Sequence, residues 1–62
     1  MDEKTKDFIR QTYHKAIATF DAEYLGETLS QAGIDTNDPE IIALLRELDE
    51  YYGIYLGISR KI

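Results

Sequence analysis

The chain has 62 residues, a formal net charge of −5, 44% hydrophobic content and no cysteine. A domain of that length lies near the lower limit at which one core holds a chain together unaided, and the missing cysteines exclude a disulfide framework and any thiolate metal site. One domain over residues 1–62 is expected, with self-association or a larger partner protein as a natural source of added stability.

The opening MDEKTKDF is charged and lacks the apolar run of about 7–15 residues that a secretory signal requires. No apolar stretch approaches the roughly 18–20 residues that span a bilayer. A cytoplasmic protein without a membrane partner is the expectation. Behind this opening, Ile9, Tyr13, Ala16, Ile17 and Phe20 recur at helical spacing and predict a first helix from about Glu3 to about Thr19, with Asp2 and Glu3 suited to its positive N-terminal end.

Leu25, Leu29 and Ala32 follow a shifted phase, so the helix is expected to break near Asp21. Asp21 can cap a second helix, with Phe20 before the cap and Leu25 after it placed as a hydrophobic staple. That helix should end at SQAGI, where Gly33 can adopt the left-handed conformation and Ile34 can fold back on the last turn. Its narrow apolar stripe predicts the least stable of the helices. A single helix from Glu3 to Ala32 is the competing reading, which would make the protein a two-helix antiparallel hairpin with a long first helix.

DTNDPE is the clearest helix start in the chain: Asp38 at the cap, Pro39 in the first helical position and Glu40 in the first turn. Asp35 and Asn37 alternate as calcium ligands would, but Pro39 supplies no side-chain oxygen where the next ligand would stand, and the glycine and distal glutamate of a helix-loop-helix calcium site are missing. Capping is the better account of the loop. In the third helix Ile41, Leu44, Leu45, Leu48, Tyr51, Tyr52, Tyr55 and Leu56 share one broad arc. The fold class expected is all-α, three helices about one core.

The closing stretch, LDEYYGIYLGISRKI, allows two readings. In one, the third helix ends at Tyr52, Gly53 is its left-handed cap and Ile54 folds back toward Leu48. In the other, the helix runs on to about Ser59, and Gly53, Ile54 and Gly57 project outward beside Arg46 and Glu50. Glycines on an exposed helical face cost roughly 0.5–1 kcal/mol each against alanine, which a partner in close contact would offset, with Tyr51 and Ile54 as anchors.

Catalytic chemistry finds no support. His14, the sole histidine, projects with Asp7 and Arg10 away from the apolar face, and no serine or cysteine pairs with it as a nucleophile would. Glu47, Asp49 and Glu50 diverge around one helix and are read as surface acidity rather than as a catalytic pair. No catalytic residue, metal site or cofactor is therefore expected.

The segment PEIIALLRELDEYY resembles the second helix of the small sporulation-regulator aspartyl-phosphate phosphatases, helical hairpins with a Ser-Gln-Glu-Leu-Asp signature. Leu45, Arg46, Glu47, Leu48 and Asp49 occupy the matching positions, leucine standing where the signature has serine and arginine where it has glutamine. This resemblance implies a regulator acting on a response regulator, with Glu47 and Asp49 as the residues concerned. The added segment from Asp21 to Gly33 departs from a plain hairpin.

Charge provides the main functional expectation. Residues 1–20 carry four bases against three acids, residues 21–50 one base against nine acids, and residues 51–62 two bases. So concentrated an acidity repels phosphate backbones, which argues against direct nucleic-acid binding, and suits a basic surface on another protein. The expected function is a small acidic interaction module, a regulator or inhibitor of a partner protein that also self-associates, with Glu23, Glu27, Glu47 and Glu50 steering the partner and Tyr51, Gly53, Ile54 and Gly57 in contact with it.

Overall fold

A computed structural model describes residues 1–54 and residue 56. Three helices follow one another: α1 (Glu3–Thr19), α2 (Ala22–Gln31) and α3 (Pro39–Tyr52). The break between α1 and α2 selects the three-helix fold over the hairpin with a long first helix. Central in the packing is α1, which lies against both of the others and more extensively against α2.

Short-range chemistry sets each helix end. Asp2 caps α1 by accepting the Thr5 amide at 2.9 Å, and the same hydrogen bonds from Thr5 hold the Asp2 carboxyl below its ordinary value. Asp21 accepts the Tyr24 amide at 2.9 Å to start α2. Asp38 accepts the Glu40 amide at 2.9 Å, with Pro39 opening α3. Such caps satisfy amides that the first turn leaves without an intrahelical partner.

The exits are equally local. At the end of α2 the Ile34 amide donates to the Leu29 carbonyl and the Gly33 amide to the Ser30 carbonyl, both at 3.0 Å, with Gly33 at φ +80°. This is the paired closure in which a left-handed residue reverses the chain. The end of α1 repeats it: the Asp21 amide reaches the Ala16 carbonyl at 2.9 Å and the Phe20 amide the Ile17 carbonyl at 3.3 Å, but here the left-handed residue is Phe20, at φ 54°. The turn carries the ring outward, and Phe20 is 72% exposed. The expected Phe20–Leu25 staple and the place of Phe20 on the core face are both corrected. Phe20 stands one residue past the end of α1, where the backbone changes hand and the helical period no longer places side chains.

Ile9, Tyr13 and Ala16 of α1 meet Leu25 and Leu29 of α2, Ile41, Leu44 and Leu45 of α3, and Leu56 in one buried core. Each fully buried aliphatic side chain contributes about 1.5–3 kcal/mol. Ile17, Ile34, Leu48, Tyr52 and Ile54 pack around its edge. Thr12 is buried as well, its hydroxyl donating to the Phe8 carbonyl one turn back at 2.8 Å. Among the described residues no helix is long and apolar enough to cross a membrane.

Candidate functional site

The far end of α3 and the facing middle of α1 hold the densest polar and aromatic contacts. Tyr13 is fully buried, and its hydroxyl donates to Asp49 Oδ1 and lies 2.6 Å from the Ile54 carbonyl oxygen, a second acceptor for the same hydrogen. Burial, reinforced by the Asp49 carboxylate that accepts this bond and repels a phenolate, pushes the Tyr13 phenol well above its ordinary value of 10.0. A phenol held protonated and shut away from solvent is unsuited to proton transfer at neutral pH. Its role is to join α1, α3 and the segment that follows.

Asp49 departs from the surface acidity expected of it, being only 1% exposed. The signal was present in the spacing: Asp49 lies four residues after Leu45 and three before Tyr52, on the apolar arc of α3. A carboxyl on such an arc implies a buried hydrogen-bond partner, because burial without one is costly. Tyr13 meets that need.

Around this pair the rings form a stack. Tyr52 lies on Tyr13 with centroids 5.7 Å apart and planes 21° from parallel, and Tyr51 meets Tyr52 edge-on at 5.0 Å. His14 is exposed, as expected, yet not isolated: its Nδ1 stands 3.3 Å from the Tyr52 hydroxyl.

The acidic candidates are all exposed: Glu23 and Glu27 on α2, Glu47 and Glu50 on α3. On each helix the pair falls opposite the buried stripe, roughly 130–180° away at ~100° per residue. The four carboxylates therefore occupy the outward faces of two helices. Tyr51, expected on the apolar arc, sits at its margin and is 80% exposed, on the same outward side of α3 as Glu47, one turn earlier. Contact residue and acid come together there.

Gly53 closes α3 at φ +70°, its amide donating to the Asp49 carbonyl at 2.9 Å. Apart from its chain neighbours, no heavy atom of the described residues lies within 4 Å of where its Cβ would stand, so the positive φ, not a close approach among them, calls for glycine. The continuation of α3 toward Ser59 is excluded at this point. Ile54, placed outward in that continued helix, is instead half-buried and packed against the core, and Gly57 lies outside the described residues. Leu56 is buried in the core too.

The carboxylates of the α2–α3 connection serve the backbone. Asp35 accepts the Asn37 amide at 2.9 Å, as Asp38 does that of Glu40. Comparison with other proteins adds nothing to the geometry. No protein-family model, no curated protein and no solved structure matches this chain. Of the residues implicated by the phosphatase resemblance, Glu47 faces solvent and Asp49 the core, so the two do not share a surface.

Proposed function

We propose that this chain is a small acidic protein-binding module, which regulates or inhibits a partner by covering a basic surface on it. The observation that carries the reading is Tyr51, 80% exposed, braced edge-on by Tyr52 and preceded in sequence by Glu47 and Glu50. A braced aromatic with a polar tip supplies contact area at low entropic cost. Carboxylates beside it steer a cationic partner and fix its orientation. The outward pair on α2, Glu23 and Glu27, adds to the acidic field that attracts such a partner.

Capture from a native lysate, followed by binding measurements on the recovered partner, tests this. Tyr51→Ala is expected to weaken binding by about 2 kcal/mol, roughly 30-fold. Replacing Glu23, Glu27, Glu47 and Glu50 with glutamine should slow association and flatten its salt dependence. A partner held equally well by Tyr51→Ala and by the glutamine variant would overturn the proposal.

A further inference from the structure

Two features at opposite ends of α1 have no occupant among the described residues. At its start, Lys4, Thr5 and Phe8 join Ala32 and Ile34 around an open, mainly apolar groove of about 220 Å³. At its other end Phe20 projects into solvent from a left-handed backbone. That conformation strains any residue with a Cβ, and the identical closure at Gly33 uses glycine. The ring adds nothing to the core, and the backbone would be easier without it. Such an outlier points to a contact outside the chain.

We propose that these two features mate between copies of the chain, Phe20 of one copy entering the Lys4–Phe8–Ile34 groove of the next. Size agrees: a cavity of about 150 Å³ takes a benzene ring, and the groove is larger. Charge agrees too. Phe20 is followed by Asp21 and Glu23, both exposed, while the groove carries Lys4, which forms no ion pair among the described residues; the neighbouring Glu3 is taken by Lys6, at 3.9 Å. Length excludes Phe20 entering the groove of its own chain, because the twelve to sixteen residues between the two features span roughly 20 Å along α1. The contact is therefore head-to-tail, and it builds a ring if the rotation closes and an open chain if it does not. It is independent of the Tyr51 face.

Sedimentation velocity on the full chain, from micromolar to millimolar concentration, tests the proposal. The wild type should associate reversibly. Phe20→Gly removes the ring while relieving the backbone, so the variant stays folded by thermal melt and its association constant falls about tenfold or more. Lys4→Glu and Glu23→Lys should each weaken association, and the two together should restore it, since the charge pair is then only reversed. A wild type that stays monomeric throughout, association unchanged in Phe20→Gly, or a double reversal no better than either single variant would each overturn it.

Discussion

Tyr13 ties α1 to α3 through Asp49 and to the following segment through the Ile54 carbonyl. Removing its hydroxyl leaves a buried carboxyl with one partner fewer, and hydrogen bonds to charged groups contribute about 1.5–3 kcal/mol. Tyr13→Phe should destabilise the protein by about that amount in denaturant melts. The bond also gives stability a direction in pH. Because the folded phenol is held above the 10.0 of an ordinary tyrosine, its contribution is fully present below pH 10, and declines above it as the unfolded chain releases the proton and the folded chain keeps it. The loss approaches about 1.4 kcal/mol per pH unit, until the folded phenol also ionises. Melts at rising alkaline pH should show this component in the wild type and lack it in Tyr13→Phe. Periodicity alone marked Tyr13 as core. Its bond to Asp49 spans 36 residues, a distance over which helical spacing has no reach.

Among the elements, α2 is the shortest and has the fewest buried residues. At ten residues it is shorter than the ~12–15 at which isolated helices become even marginal, so Leu25 and Leu29 must fix it from the core side. Gly26 weakens it further, and open space surrounds the position of a Cβ there. Gly26→Ala should stabilise the protein by roughly 0.5–1 kcal/mol. Gly53→Ala should do the reverse, costing about 1 kcal/mol for the positive φ, and thermal melts of the pair distinguish a glycine that α2 tolerates from one that the α3 exit requires. The caps at Asp21 and Asp38 and the exit at Gly33 were legible, and the exit at Gly53 was one of two readings, because each is decided within about five residues; Asp2 was legible as an acid suited to the start of α1 but not as its cap. Phe20 was not, since its side-chain type suits a core face and only the closing hydrogen bonds reveal the change of hand.

At the scale of the molecule, a core this small leaves only ~3–5 kcal/mol of net stability, so residues beyond the last helix matter. Leu56 is buried among residues of all three helices. Leu56→Ala should therefore cost at least about 2 kcal/mol and move the thermal midpoint by well over ten degrees. The return of Ile54 follows the reading in which Gly53 caps α3, whereas Leu56, placed on the arc by helical period, reaches the core only through the reversal at Gly53. The candidate surface was legible in part: the acids fell outward as expected, while Tyr51 gained its exposure by lying at the margin of the arc. One consequence of the α1–α2 corner concerns what may be spliced into the chain. Asp21 gives its amide to the last turn of α1 and its carboxylate to the first turn of α2, so a residue added beside it would part the two bonds and swing the Leu25–Leu29 stripe by ~100° off the core. The Gly33–Asp38 connection has separate exit and entry residues, and surface loops of that kind absorb added length at small entropic cost. A tag or reporter peptide belongs there, and not at the first corner.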